Sequence, residues 1–156
     1  MARSGGPTVR CLPELLDRSA AGRPEATALE VDGACLSYGG LAEESNRVAR
    51  WLRVAGVQRG DRVALGLPKS ASALAALYGI LKAGAAYVPV DLTAPASRIA
   101  FILRDCAVRH LVTTSRVLGP LLRFPAGAVS PLAVLLAGDV PPDHGAGAAT
   151  SCAGTA

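Results

Sequence analysis

Aromatic residues are scarce in this 156-residue chain, with one Trp, three Tyr and two Phe making up 4% of it. So few rings offer no platform on which nucleic-acid bases could stack. Lysine is scarcer still: Lys69 and Lys82 are the only two, and the other fourteen basic residues are Arg, scattered along the chain. The net charge of +4 therefore forms no basic stripe, and nucleic acid is not an expected partner. Arg47, Arg50 and Arg53 do share one side of a helix, where a solvated face accounts for them. Four cysteines, Cys11, Cys35, Cys106 and Cys152, stand far apart with only His110 and His144 to assist them. That spacing lacks a zinc framework and predicts buried free thiols in a reducing compartment. Glu14, Asp17 and Arg18 interrupt any signal-peptide core near the N-terminus, so a cytoplasmic location is expected. Ala71 to Val90 is the one stretch resembling a membrane span, but Lys82, Gly84 and Pro89 break it, and no membrane partner is expected.

What is present is a globular composition, 51% hydrophobic and 18% charged, of a length that suits one domain or part of a larger one. Residues 1–11 carry Gly5, Gly6 and Pro7 without periodicity and read as a loose leader. From Leu12, Pro13 suits a first helical turn, and Glu14 and Asp17 favour a helix N-terminus. Two short β-like runs, Ala28–Val31 and Cys35–Ser37, flank Asp32-Gly33-Ala34, which predicts a hairpin. Over 38–55, Leu41, Val48, Leu52 and Ala55 give an amphipathic helix with Glu43, Arg47, Arg50 and Arg53 facing away, and Gly56 stops it. Arg62 to Leu67 is a nearly continuous apolar strand, which implies helices on both faces. Ser70 is a credible N-cap for the next helix.

The most informative stretch is Leu81-Lys-Ala-Gly-Ala-Ala-Tyr-Val-Pro-Val-Asp91. Ala73, Leu74, Leu77, Ile80 and Leu81 share a helical face, and Gly84 is the residue type that closes a helix in the left-handed conformation. Tyr87, Val88 and Val90 then read as a short buried strand, in which Pro89 demands a position where no partner needs its N–H. Asp91 falls at that strand's carboxyl end, where open α/β sheets place their ligand crevices. Beyond it, Pro95 is placed as a first-turn residue, and Ile99, Ile102, Leu103 and Cys106 give a third amphipathic helix. Burying its Ile and Leu side chains contributes roughly 1.5 to 3 kcal/mol each before entropy is subtracted. Arg109–Thr113 is the next strand, Val117–Leu122 a helical turn and Leu132–Ala137 a further strand. Strand, helix, strand in this rhythm predicts an α/β fold, a parallel sheet flanked by helices, with an N-terminal β-hairpin. Residues 12–137 form the folded part, and the Ala/Gly-rich 138–156 read as a disordered tail.

These residues resemble the N-terminal part of the large domain of the AMP-forming adenylating ligases, which include acyl-CoA synthetases, luciferase-like enzymes and nonribosomal peptide synthetase adenylation domains. Leu36-Ser37-Tyr38-Gly39-Gly40-Leu41 is similar to the family's first core motif. Asn46-Arg47, Gly56-Val57 and Gly60-Asp61-Arg62-Val63-Ala64 follow in the family's order. Leu81 to Asp91 matches the second core motif, and Pro95, Arg98-Ile99, Ile102-Leu103 and Asp105 continue the agreement. Asp91 leans toward the peptide-synthetase branch, and the lack of a basic residue near Thr93 disfavours a CoA thioester product. Gly40 stands where Glu is usual, Leu92 where Pro is usual, and Ala94 and Ser97 where Tyr and Glu are common.

The resemblance implies activation of a small carboxylate, amino acid or acyl acid, by attack on the α-phosphorus of ATP with loss of pyrophosphate. Mg²⁺ and cationic side chains stabilise the charge, and the acyl group then passes to the thiol of a carrier protein or of CoA. The family's Ser/Thr/Gly-rich ATP loop ending in Pro-Lys-Gly has no counterpart in these 156 residues. Thr150-Ser151-Cys152-Ala153-Gly154-Thr155 lacks its Lys, and Pro68-Lys69-Ser70 lacks the glycines a phosphate cradle needs. Lys82, Tyr87 and Asp91 are accordingly read as scaffold, Lys82 as a solvated helix-end charge and Tyr87 as a packing residue. No catalytic, cofactor-binding or metal residue is assigned. Two functions remain open: an N-terminal fragment of an adenylating ligase that is inactive alone, or a small standalone α/β binding module.

Overall fold

The computed structural model describes residues 11–31, 34–114, 133–136 and 150–151. Helix α1 spans Leu12–Gly22, with Pro13 in its first turn. Strands β1, Thr27–Val31, and β2, Ala34–Ser37, pair antiparallel as the Asp-Gly signal requires, with Val31 opposite Ala34. Helix α2 is Tyr38–Val54, capped by Ser37, whose Oγ accepts from the Gly40 N–H at 3.1 Å. Gly40 holds the third helical position, so the usual Glu there would have completed a reciprocal capping box; this chain keeps half of it.

Strand β3, Arg62–Gly66, leads to helix α3, Ala71–Lys82, where Ser70 Oγ caps Ala73 N–H at 3.1 Å. Strand β4 is Ala86–Pro89, helix α4 is Ala96–Asp105 and strand β5 is His110–Thr113. Pro95 occupies the N-cap of α4, one position earlier than the sequence suggested. Strand β6, Ala133–Leu136, runs parallel to β5, and the sheet order is β4-β3-β5-β6 with every pairing parallel. A two-residue strand β7, Thr150–Ser151, lies antiparallel to β2 within the stretch read as a tail. The remainder of that tail, the leader before Cys11 and the helical turn expected at Val117–Leu122 lie outside the described residues.

The central strands β3 and β5 are covered on both faces, and their alternation shows which helix covers which side. Val63 and Val112 join Ala49, Leu52, Ala76 and Ile80 in one core under α2 and α3. Their neighbours Ala64 and Leu111 point the other way, into a core with Ile99, Leu103 and Val108 under α4. A third, separate cluster joins α1 to the helices through Leu16, Leu41, Ala42 and Ala75.

Three helix ends enter the sheet through one device. After α2, α3 and α4, the N–H groups of Val57, Ala85 and Val108 reach back to the carbonyls of Leu52, Ile80 and Leu103. The residues just before them, Gly56, Gly84 and Ala107, have φ of 92°, 87° and 49°. This paired closure satisfies terminal carbonyls and buries the next apolar side chain, and it favours glycine at the left-handed residue. The third copy uses alanine.

Two expectations about the central stretch need correction. The face of α3 that is fully buried is Ala75, Ala76, Gly79 and Ile80, while Leu74, Leu77 and Leu81 are half-buried. Small residues win there because α2 and α3 lie so close that a Cβ on Gly79 would stand 2.6 Å from Val48 Cβ. Strand β4, in turn, pairs only with β3 among the described residues, so it is an edge strand rather than a buried one, and Tyr87 is 38% exposed. Pro89 is tolerated there because an edge strand needs no donor on its open side.

Candidate functional site

The carboxyl end of β4 carries a hydrogen-bonded polar turn. Asp91 follows β4, and its Oδ1 accepts from the Thr93 hydroxyl at 2.7 Å and the Thr93 N–H at 2.9 Å. Those two bonds, the hydroxyl's first and the amide's second, hold the exposed carboxyl below its ordinary value of 3.8, with a smaller contribution from the Arg98 charge. Asp91 is therefore committed to the loop that launches α4. Beside it, Leu92 lies over Gly66 at the end of β3, where a Cβ would meet Leu92 Cδ2 at 2.9 Å. Thr113, at the end of β5, is fully buried and donates its hydroxyl to Gly66 O at 2.8 Å. These contacts close the top of β3, β4 and β5 on themselves.

The second polar centre sits at the opposite end of β4. Lys82, in the last turn of α3, has a side chain only 8% exposed, in place of the solvated charge that its helix-end position suggested. Its Nζ lies 2.7 Å from Asp17 Oδ1 on α1 and donates to Asn46 Oδ1 on α2 at 2.8 Å. Its carbonyl accepts from the Arg53 guanidinium of α2. One lysine thus ties three helices together, beside a cleft of about 590 Å³ lined by Cys11, Pro13, Asp17, Arg50, Arg53 and Lys82, among others. The sequence marks Asp17 as a helix-start acid and Asn46 as part of a family-ordered pair, but nothing in it joins either to Lys82, since partners from separate helices share no spacing.

Lys82, Tyr87 and Asp91 do not converge: Lys82 precedes the amino end of β4, Tyr87 faces outward from it and Asp91 follows its carboxyl end. His110 places Nε2 3.2 Å from Ala55 O, joining β5 to the end of α2, while its buried Nδ1 has no hydrogen-bond partner among the described residues. Cys11 and Cys106 are free thiols, but Cys11 is exposed and Cys106 half-buried in place of the buried thiols expected, and Cys35 is disulfide-bonded, which corrects the expectation for that residue. Among the described residues no three His, Cys, Asp or Glu side chains group as metal ligands. Among the described residues the Asp91 carboxylate is engaged by Thr93 and the Lys82 ammonium by Asp17 and Asn46. Among the same residues no helix is long and apolar enough to cross a membrane.

A sheet closed at its top, covered on both faces of its central strands and entered through the Gly84 turn is an arrangement known from other proteins. The family model described as "AMP-binding enzyme" matches residues 16–148. The chain belongs to that family. Within the AMP-binding enzymes it is 43% identical over 106 residues to the dimodular nonribosomal peptide synthase of Bacillus subtilis (strain 168), an overlap covering 68% of this chain and 4% of that protein. It is 40% identical over 116 residues to tyrocidine synthase 3 of Brevibacillus parabrevis, covering 74% of this chain and 2% of that one. The solved nonribosomal peptide synthetase FmoA3, in its α-methyl-L-serine-AMP bound form, superposes with a TM-score of 0.74 at 34% identity. That match covers 82% of this chain and 14% of FmoA3. The chain therefore spans a few per cent of the length of these curated relatives.

Proposed function

We propose that this chain provides the N-terminal scaffold of an adenylation domain in a peptide-synthetase ligase, residues 12–137 forming part of its large subdomain. The assembled ligase activates a carboxylate with ATP as an acyl-adenylate and passes the acyl group to a thiol. The observation that carries this reading is the 40–43% identity to peptide synthetases over more than a hundred residues, joined to the superposition on FmoA3. It favours an amino acid as the carboxylate and a carrier-protein thiol as the acceptor, over an acyl acid and CoA. ATP and Mg²⁺ are to be held by parts of the ligase that these residues do not supply, and the cytoplasm is the compartment that suits ATP-dependent chemistry.

In this division of labour the present residues position rather than react. The Gly84 turn sets the angle between α3 and β4, and the Asp91–Thr93 turn holds the loop that follows β4. Both give the ligase a rigid half-sheet against which a substrate site can be pre-organised. The test is amino-acid-dependent ATP–pyrophosphate exchange by the isolated chain across the proteinogenic amino acids and simple aryl acids. No exchange is expected; sustained exchange with any acid would show that the chain itself holds the nucleotide and would overturn the scaffold reading.

A further inference from the structure

We propose that α1 is a strap that opens from α2 and α3 as a unit while the sheet stays folded, and that the Asp17–Lys82 ion pair is the latch that sets how often it opens. Three observations support this. First, the helix rests on the satellite cluster rather than on either core of the sheet, and Leu16 is the one side chain on it that is fully buried. Leu12 and Leu15 stand 54% and 46% exposed, and no side chain caps its N-terminus. Elements with few buried apolar contacts open at lower free energy than the core. Second, the cleft beside Asp17 separates α1 from Arg50 and Arg53 on α2, so the two helices meet along part of their length only.

Third, the latch is asymmetric. Lys82 is nearly buried and is held from the far side by Asn46, so it keeps its place when α1 leaves. Asp17 reaches in from α1 and is 58% exposed, so water can take over its carboxylate on opening. The ion pair is thus a polar contact broken by opening, and the apolar part is Leu16 and Ala20 leaving Leu41, Ala42 and Ala75. Opening uncovers that apolar patch on α2 and α3 without disturbing β3, β4 or β5.

Native-state amide hydrogen exchange on the whole chain tests this. Amides of residues 16–22 are expected to exchange through an opening distinct from, and easier than, the one that exposes Leu52 or Val63. Asp17→Asn, which keeps an acceptor oxygen but removes the charge, is expected to speed exchange in α1 by about three- to fivefold, the scale of a partly exposed ion pair. The amides of α2 and β3 should stay within about twofold of wild type, since distant units respond independently. Should Asp17→Asn compromise folding, a salt series on the wild-type chain decides instead, because screening weakens an ion pair with one exposed partner. Rising salt should then speed α1 and leave β3 unchanged. Exchange of α1 in step with α2 and β3 would overturn the strap. An α1 rate indifferent to both Asp17→Asn and salt would overturn the latch.

Discussion

Gly79→Ala tests the close approach of α2 and α3. Gly79 lies in the interior of α3, so on helix propensity alone alanine should stabilise by about 0.8–1.0 kcal/mol. Packing argues the other way. A Cβ there would stand 2.6 Å from both Val48 Cβ and Val48 Cγ1 and 3.0 Å from the Ser45 carbonyl oxygen. Val48 Cβ is a branch point that no rotamer moves, and the Ser45 carbonyl belongs to the α2 backbone, so the helices themselves must separate. Overpacking of this kind costs about 1–3 kcal/mol, and the upper part of that range applies when backbone must shift. The net expectation is a loss of about 1–2 kcal/mol, read from urea unfolding by far-ultraviolet circular dichroism with an unchanged m-value. For a chain of this size each kcal/mol lowers Tm by about 2–4 °C. Val48→Ala removes the Cγ1 contact and leaves the Cβ contact, so in the Gly79→Ala background it should restore part of the loss, with a coupling of about 0.5–1 kcal/mol. A Gly79→Ala chain more stable than wild type would refute the close approach of α2 and α3.

The left-handed closures give a reciprocal pair. Gly84→Ala should destabilise by about 1–2 kcal/mol through φ alone, because the new Cβ meets Arg59 only at an ordinary 3.4 Å. Ala107→Gly should stabilise by a few tenths to about 1 kcal/mol in the same unfolding assay; effects of the same sign for the two would argue against the closure they share. Asp91 supplies a pH dependence. Its folded pKa is depressed by Thr93, so its contribution is fully present above the ordinary 3.8 and is lost as pH falls through the lower folded value. A carboxyl carbon titration by NMR should show that depression, and Thr93→Val should reduce it by removing the hydroxyl donor.

Local signals in the sequence were read well where one residue decides the geometry. Ser70 as a cap, Gly56 and Gly84 as helix closures, and the hairpin before Ser37 all depend on backbone chemistry that a single residue type announces. The parallel sheet was legible because Val63 to Leu65 and Leu111 to Val112 are apolar on consecutive positions, which only two covered faces accommodate. What failed was set by partners distant in sequence. Leu74, Leu77 and Leu81 looked like the buried stripe of α3, yet Gly79 and its alanine neighbours are buried, because the α2 spacing decides which face fits. Lys82 looked solvated because its dipole preference is local, whereas its burial depends on Asp17 and Asn46, which lie 65 and 36 positions away by the numbering. Tyr87 looked buried because β4 reads like β3, and nothing within a strand states whether it has a neighbour on each side.

The central claim is that these residues are the scaffold of an amino-acid-activating ligase and leave substrate choice to the rest of it. Replacing the superposable segment of FmoA3 with residues 12–114 of this chain, and measuring amino-acid-dependent ATP–pyrophosphate exchange, tests that claim most directly. The chimera is expected to retain exchange with the amino-acid preference of the parent FmoA3. A folded chimera that has lost exchange, or that has moved to a different amino acid, would contradict it.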